Sequence, residues 1–138
     1  MAFRFERPVR FAEVDAARIV FFARYLDYCH DAIEALFAEL PGGYAHLTMV
    51  RDVGVPSVHL EVDYRAPLRF GDAAVLDVTV ERIGTTSVTF RYDITRKADG
   101  VPVATVRQVV VTARISAIEA VAVPDDVRAL LTRYMTAP

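Results

Sequence analysis

One carboxylate in the N-terminal part of the chain lies where it could take part in acyl-group chemistry. Asp15 separates an alternating, strand-like segment from a strongly apolar helical segment, in the stretch EVDAARIVFF of residues 13–22. The first backbone N–H groups of a helix have no partner inside it, and with the helix dipole they stabilise negative charge. The apolar residues 19–22 can exclude water. A carboxylate near such donors could attack a carbonyl or activate water, so we expect hydrolysis of an activated acyl group.

Asp15 also has a simpler alternative role. An Asp before a helix is often a cap, whose side chain accepts hydrogen bonds from the N–H groups of the first turn. A cap normally lies directly before that turn, whereas several residues, including the β-branched pair Ile19 and Val20, separate Asp15 from the clear start of the helical pattern. The spacing by itself leaves both roles open.

The periodicity of apolar residues indicates the elements that would position this site. Residues 5–15 alternate and predict a first strand, with Pro8 marking an edge or an irregularity. Residues 21–40 predict a long helix, which Pro41 and two glycines end. Its apolar residues recur every three or four positions and form one broad stripe: Phe22, Leu26, Cys29, Ile33, Leu36, Phe37 and Leu40.

The second half of the chain predicts a meander of strands and a closing helix. Residues 44–56 fit either a short helix or a loop, after which the period changes to two. Strands are expected in residues 57–65, 73–83, 87–97 and 101–115, the last apolar on both faces as in a central strand, and a helix after Pro124. We therefore expect a single α+β domain, residues 1–138, in which an antiparallel β-sheet wraps around one long central helix. Leftover apolar strand faces predict a homo-oligomer, at least a dimer, with a tetramer as the larger alternative.

Composition excludes several other classes of protein. The chain has 138 residues, 54% of them hydrophobic and 25% charged, and a net charge of −2, which gives no basic footprint for nucleic acid. Its apolar runs are short and broken by charges, and the N-terminus has no apolar signal core, so we expect neither a membrane segment nor export. The single cysteine, Cys29, fits a cytoplasmic protein. The three histidines are not spaced like metal ligands, so no metal is expected.

Three segments resemble a known family. Residues 9–37, VRFAEVDAARIVFFARYLDYCHDAIEALF, resemble the signature region of the hotdog-fold acyl-CoA thioesterases of the 4-hydroxybenzoyl-CoA thioesterase type. Residues 54–94 place a Pro and a Gly-Asp pair where that family has them, and residues 123–131, VPDDVRALL, are similar to its closing helix. The resemblance covers nearly the whole chain, and it implies a hotdog fold and an acyl-CoA substrate, with no cofactor beyond the coenzyme A of that substrate.

The resemblance also implies roles for individual residues. The family's catalytic carboxylate, a nucleophile or a general base, corresponds to Asp15, and the backbone N–H that polarises the thioester carbonyl corresponds to that of Phe22. Coenzyme A lies in a groove between protomers. In the benzoyl-type enzymes a turn between two strands helps to bind it, which here is the turn of Gly84, Thr85, Thr86 and Ser87. Tyr25 and His59 are further candidates for lining the substrate pocket, although packing and an ordinary surface position are the alternatives.

Two departures from the family pattern bear on the substrate. The family's usual Gly after the Asp is Arg18 here, and this Arg either binds a substrate carboxylate or a coenzyme A phosphate through its planar guanidinium, or is simply solvated. The turn of residues 84–87 lacks the basic cluster that some relatives use for phosphates, which weakens the benzoyl-specific assignment. The acyl group is therefore left open between an aryl group and a short or medium aliphatic chain.

Two other functions compete with hydrolysis. A hotdog enoyl-CoA hydratase or dehydratase would need a His near the Asp, and the stretch DAARIVFF of residues 15–22 has none. A non-catalytic acyl-CoA sensor would keep the groove but would not need the carboxylate, so the presence of Asp15 favours an enzyme.

Overall fold

The computed structural model describes residues 1–136. In chain order the elements are β1 (Phe3–Pro8), a 3₁₀ turn (Phe11–Glu13), α1 (Arg24–Phe37), α2 (Gly43–Ala45) continuing into a π-helical turn (His46–Val50), β2 (Val53–Gly54), β3 (Ser57–Tyr64), β4 (Ala73–Ile83), β5 (Ser87–Arg96), β6 (Pro102–Val111), β7 (Ala113–Arg114), β8 (Glu119–Ala120) and α3 (Asp125–Thr132).

The main sheet has five antiparallel strands in the order β1-β4-β5-β6-β3, and a small second sheet joins β2, β7 and β8. The buried face of α1 and the inward face of the main sheet belong to one apolar core, which includes Leu36 and Phe37 of the helix and Phe90 and Tyr92 of β5. The α+β architecture expected from the sequence is therefore confirmed. None of the helices in residues 1–136 has the length and apolar character that crossing a bilayer requires.

The first strand and the long helix are both shorter than the sequence predicts. β1 ends at Pro8, which cannot donate to a strand ladder, and the chain then turns away towards the loop before β4, where Val9 N–H donates to the Asp72 carbonyl (2.9 Å). After Pro8 the alternation of apolar and polar residues no longer predicts which side chains are buried. The apolar Phe11 is 74% exposed, whereas the charged Glu13 is only 4% exposed. The central helix begins at Arg24 and ends at Phe37 rather than spanning residues 21–40.

A buried ion network explains why a charged residue takes the inward position. Arg7 donates to both carboxylate oxygens of Glu13, from Nη1 to Oε1 at 2.9 Å and from Nη2 to Oε2 at 2.6 Å. The Tyr28 hydroxyl (2.9 Å) and the Arg10 amide (2.8 Å) also donate to Oε1 of Glu13. Arg7 Nε donates to Asp31 at 2.7 Å, and the guanidinium lies over the Tyr28 ring. The network joins β1, the 3₁₀ turn and the first half of α1.

The charges of this network persist over a wide pH range. Burial by itself raises the pKa of the Glu13 carboxyl, but the hydrogen bonds from Arg7, the Arg10 amide and Tyr28 outweigh burial and lower that pKa to about 2. The bonds to Glu13 raise the pKa of Arg7 despite its burial. Because the pKa of Glu13 is lower in the folded than in the unfolded protein, this group stabilises the fold fully above its ordinary value of 4.5 and loses that contribution as the pH falls towards 2.

We predict that Arg7→Met lowers the free energy of unfolding by about 3–5 kcal/mol, because it leaves the Glu13 carboxylate buried without its cation. Urea denaturation at neutral pH measures this loss. Arg4→Met is the matched control, since Arg4 is also on β1 but its pair with Asp77 is exposed, and it should cost less than about 1 kcal/mol. Equal losses in the two variants would contradict a special role for the buried pair.

Candidate active site

Asp15 lies at the tip of a tight hairpin, not at a helix end. Val14 and Val20 pair as an antiparallel bridge, and the Asp15 N–H donates to the Ile19 carbonyl at 2.9 Å. The Arg18 N–H closes the turn by donating to the Asp15 carbonyl at 2.9 Å, and Arg18 has a positive φ of 66°. A type I turn followed by one left-handed residue is a common way to close a hairpin, and Gly is the usual residue at the left-handed position. Arg18 therefore occupies a position whose backbone geometry favours Gly.

The helix-cap role considered for Asp15 is wrong. The residue that caps α1 is Ala23, which makes no side-chain capping bond. Asp15 instead accepts a hydrogen bond on Oδ1 from the Ala17 N–H (2.8 Å), within its own turn. Its second oxygen, Oδ2, has no hydrogen-bond partner among residues 1–136. The carboxylate is thus held in position by one oxygen and is free to act through the other.

Asp15 lines a surface cavity of about 560 Å³. Phe11 and Phe70, which pack edge to face with ring centroids 5.6 Å apart, form an apolar wall of this cavity. Arg18 and Arg69 also line it, and within residues 1–136 neither guanidinium makes a salt bridge. The sequence analysis missed Arg69, Phe11 and Phe70, because the 65–72 loop that carries two of them reads only as a turn.

The Phe22 amide lies just before the helix rather than in it, which corrects the expected helix start. On either side of it, Phe21 N–H donates to the Glu13 carbonyl (2.9 Å), and the Phe22 carbonyl accepts from the Tyr64 hydroxyl (2.7 Å). The Phe22 N–H itself has no acceptor among residues 1–136. Its peptide is therefore fixed while its donor is free. Asp15 lies at the tip of the 13–21 hairpin and Phe22 directly follows its second arm, and Phe22 does not line the cavity of Asp15.

Tyr25, expected as a candidate for lining the substrate pocket, lines neither the cavity of Asp15 nor the internal cavity described below. Its ring is buried, packs edge to face against Tyr64, and its hydroxyl accepts from the Leu68 N–H at 3.2 Å. Burial raises the pKa of this hydroxyl. Because the Leu68 carbonyl in turn accepts from the Val20 N–H (2.9 Å), Tyr25 supports the loop that carries Arg69 against the hairpin that carries Asp15.

His59 lies away from Asp15 in the same chain. It is on the edge strand β3, its side chain is 57% exposed, and its Nε2 is 3.0 Å from the Glu61 carboxylate. It lines neither the cavity of Asp15 nor the internal cavity described below. The structure thus gives His59 a surface position on a free sheet edge.

The turn of residues 84–87 is tightly tied to its surroundings. The Gly84 N–H donates to the Ser87 carbonyl (2.7 Å), and a side chain on Gly84 would collide with Ser87, since an added Cβ would lie 2.8 Å from its Oγ. The carbonyls of Thr85 and Thr86 accept from backbone N–H groups of residues 123 and 112. Arg128 of α3 donates to the Gly84 carbonyl at 2.8 Å, so tertiary structure supplies a cation that the turn's own sequence lacks.

An internal cavity of about 510 Å³ lies between α1, the inward face of β3, β5 and β6, and residues 44–56. Its walls are mostly apolar, and Cys29 is among the lining residues. Burial raises the pKa of the Cys29 thiol, so the sulfur stays protonated and is not an activated nucleophile. Among residues 1–136, no cluster of three or more His, Cys, Asp or Glu side chains could hold a metal ion.

Comparison with known proteins identifies the family. The fold and the site define a hotdog protein with a carboxylate at the entry to its central helix. The sequence model of the Thioesterase-like superfamily matches residues 9–131, and the chain belongs to this family. A 1,4-dihydroxy-2-naphthoyl-CoA hydrolase of Synechococcus elongatus is 34% identical over 110 residues, 78% of each chain. A hydrolase of the same name from Nostoc punctiforme is 32% identical over 69% of this chain and 64% of its own.

Solved structures agree with this fold. A thioesterase superfamily protein from Jannaschia sp. CCS1 superposes with a TM-score of 0.89 and 30% identity, over 99% of this chain and 94% of that one. A 1,4-dihydroxy-2-naphthoyl-CoA thioesterase from Synechocystis superposes with a TM-score of 0.86 over 96% of both chains at 23% identity, which shows a shared fold. The predicted hotdog fold and the resemblance to thioesterases are confirmed.

We predict that the positive φ of Arg18 costs stability that Gly would recover. Arg18→Gly should have a free energy of unfolding about 1 kcal/mol higher than Arg18→Ala, because an L side chain is strained in the left-handed region. Thermal or urea unfolding compares the two variants. Gly100→Ala gives an independent measure of the same penalty, since Gly100 has φ 70° and open space at its α-carbon. If the Ala variant at position 18 were the more stable, the hairpin geometry described for Arg18 would be wrong.

Proposed function

We propose that this protein is an acyl-CoA thioesterase that hydrolyses an aryl-CoA to the free acid and coenzyme A. The observation that carries this proposal is the 13–21 hairpin, which holds the Asp15 carboxylate at its tip and the unpaired Phe22 amide directly after its second arm. Membership of the thioesterase-like superfamily and the names of the relatives at 34% and 32% identity support the same activity.

The two groups divide the work of hydrolysis. Asp15 Oδ2 attacks the thioester carbonyl or removes a proton from the attacking water. The Phe22 N–H donates to the carbonyl oxygen as it becomes negative, and a main-chain donor needs no particular side chain at this position. Coenzyme A leaves as a thiolate, which is a good leaving group, so a strong acid is not required. The fixed peptide of Phe22 needs no reorganisation as charge develops.

The substrate's aryl group is proposed from the relatives and from the shape of the internal cavity. The relatives are named for a dihydroxynaphthoyl thioester. The cavity between α1 and the sheet holds about 510 Å³ and includes Phe90 and Tyr92 in its walls, which suits a flat aromatic group better than a charged one. A short or medium aliphatic acyl group is the alternative.

We propose a homodimer formed along β3, because one chain does not complete the site. β3 is an edge strand, and in residues 1–136 no strand pairs with its outer side, while Val58 and Leu60 are exposed apolar residues. Antiparallel pairing of β3 with its own copy brings Ser57 of one chain opposite Tyr64 of the partner subunit. The Tyr64 hydroxyl binds the Phe22 carbonyl next to the hairpin, and Ser57 lines the internal cavity. This pairing therefore places the hairpin of one chain beside the mouth of the other chain's internal cavity. A tetramer of two such dimers is compatible with this arrangement.

Coenzyme A is proposed to reach the turn of residues 84–87 and Arg128. This region lines a surface cavity of about 490 Å³, and Arg128 offers the guanidinium that a phosphate requires. Arg18 and Arg69 flank Asp15 and supply further positive charge around the site. A hydratase is less well supported, because no His of the described chain lines the cavity of Asp15.

We predict that Asp15→Asn lowers kcat for thioester hydrolysis by at least about 100-fold, since it removes the nucleophile or general base but keeps the size of the side chain. Release of free thiol from a panel of aryl- and alkyl-CoAs measures the rate. Asp93→Asn, on the outward face of β5 where the carboxylate pairs with Arg91, is the control and should keep wild-type activity. Binding of acyl-CoA by the wild type without any thiol release would favour the acyl-CoA sensor instead.

We also predict that two inactive variants complement each other when mixed. Leu60→Trp blocks the mouth of the internal cavity, and Asp15→Asn removes the carboxylate, so each is inactive alone. If each site combines the two residues from different subunits, a mixed dimer has one intact site out of two. After subunit exchange between equal amounts of the two variants, about half of the dimers are mixed. About a quarter of wild-type activity should therefore return. Sedimentation confirms that the mixture is dimeric, and co-purification of one variant with the affinity-tagged other confirms that subunits have exchanged. No recovery in mixed dimers would mean that one chain supplies both residues.

A further inference from the structure

Gln108 breaks the apolar pattern of the inward face of β6. In register with β5 and β3, Gln108 lies between Phe90 on one side and Leu60 on the other, and these three residues form a row across the sheet. The neighbouring inward positions of β6 are Val106 and Val110, both buried. The expectation that β6 is apolar on both faces is therefore wrong at Gln108 on this face, and it also fails on the other face, which carries Thr105 and Arg107. A polar amide facing an apolar core costs free energy unless it is hydrogen-bonded, so its presence calls for a reason.

The Gln108 amide is held by two partners. The Tyr92 hydroxyl donates to Gln108 Oε1 at 2.6 Å, and Gln108 Nε2 donates to Ser57 Oγ at 2.5 Å. Tyr92 is fully buried on β5, whereas Ser57 is exposed at the start of β3. The three side chains form a polar strip that crosses the sheet from its core to its free edge.

This polar strip has donors left over and faces the internal cavity. All three residues line the cavity of about 510 Å³. One amide proton of Gln108 and the hydroxyl proton of Ser57 have no acceptor among residues 1–136. Apart from His30, no lining side chain can carry a positive charge, and the lining contains no Asp or Glu, so a charged ligand would meet little compensation there. The unused donors therefore match a neutral oxygen acceptor carried by an otherwise apolar ligand.

We propose that Gln108, held by Tyr92 and Ser57, binds a hydroxyl substituent on the aryl part of the substrate and so determines specificity for hydroxylated aryl-CoAs. This inference rests on the proposed thioesterase function and on the internal cavity as the acyl pocket. The hydroxyl oxygen accepts from the free Gln108 N–H or Ser57 O–H, while the ring packs against Phe90 and Leu60. A carboxylate at the same place would be buried without a cation and is disfavoured.

The test compares aryl-CoAs that differ only in one ring substituent. We measure kcat/KM for hydroxybenzoyl-CoA, benzoyl-CoA and carboxybenzoyl-CoA, and for the hydroxynaphthoyl and naphthoyl pair. The wild type should prefer each hydroxylated substrate. Gln108→Met, which is similar in size but lacks the amide, should lower the ratio of kcat/KM between the hydroxylated and the unsubstituted member of each pair about tenfold or more. Arg91→Met, a polar-to-Met change on the outward face of β5, is the control and should keep the wild-type preference.

The outcomes separate this inference from the proposed function. An unchanged preference in Gln108→Met, equal losses for both members of a pair, or a wild-type preference for the carboxylated substrate would overturn the role of Gln108. If Gln108→Met fails to fold, Ser57→Ala at the exposed strand end should still reduce the preference, and no reduction would count against the proposal. If no acyl-CoA is hydrolysed at all, the proposed function fails. Calorimetric affinities of the hydroxylated and unsubstituted free acids for the wild type and Gln108→Met then still decide whether the polar strip binds a hydroxyl.

Discussion

Arg7 and Glu13 are six residues apart, and their bidentate ion pair closes the segment between them into a compact loop. Both residues are nearly inaccessible to water, so removing either one would leave the other's charge buried without a partner. Tyr28 ties the same carboxylate to the central helix, and the main-chain carbonyl of Glu13 accepts from the Phe21 N–H. One residue therefore fixes both arms of the 13–21 hairpin, with its side chain anchoring one and its backbone anchoring the other.

On the proposed mechanism, this anchoring explains how two groups, the Asp15 carboxylate and the Phe22 amide, can suffice. The position of Asp15 follows from the hairpin bonds to Ile19 and Arg18, and that of the Phe22 peptide from Tyr64 and the adjacent Phe21. None of these contacts depends on the substrate. A preorganised donor and carboxylate do not need to reorganise during the reaction, which is the main source of electrostatic stabilisation in such sites. The strained backbone at Arg18 is compatible with this view, since strain persists where the surrounding structure determines the conformation.

The free edge of β3 links the site to assembly. The same strand carries Tyr64, which holds the Phe22 peptide, and Ser57 and Leu60, which line the internal cavity. Tyr64 ends the strand, whereas Ser57 begins it and Leu60 lies in its first half, so one chain keeps its hairpin and its cavity mouth apart. A two-fold copy across the strand would bring the hairpin of each chain to the cavity of the other. On the proposed assembly, oligomerisation is thus a requirement of catalysis and not only of stability.

The sequence by itself determined the elements whose signals are local. The period of two in residues 57–65, 73–83 and 87–97 predicted β3, β4 and β5, and the stripe of residues such as Ile33 and Leu36 predicted α1, because alternation and helical spacing act over neighbouring residues. The position of Asp15 between a strand-like segment and the helix pointed to the site.

Only the tertiary structure decided that Glu13 turns inward while Phe11 turns outward, because that choice depends on an arginine and a tyrosine from other elements. It likewise decided that Arg69 joins Asp15, that Arg128 joins the turn of residues 84–87, and that Gln108 faces a cavity, since each placement arises from contacts between segments distant in the chain.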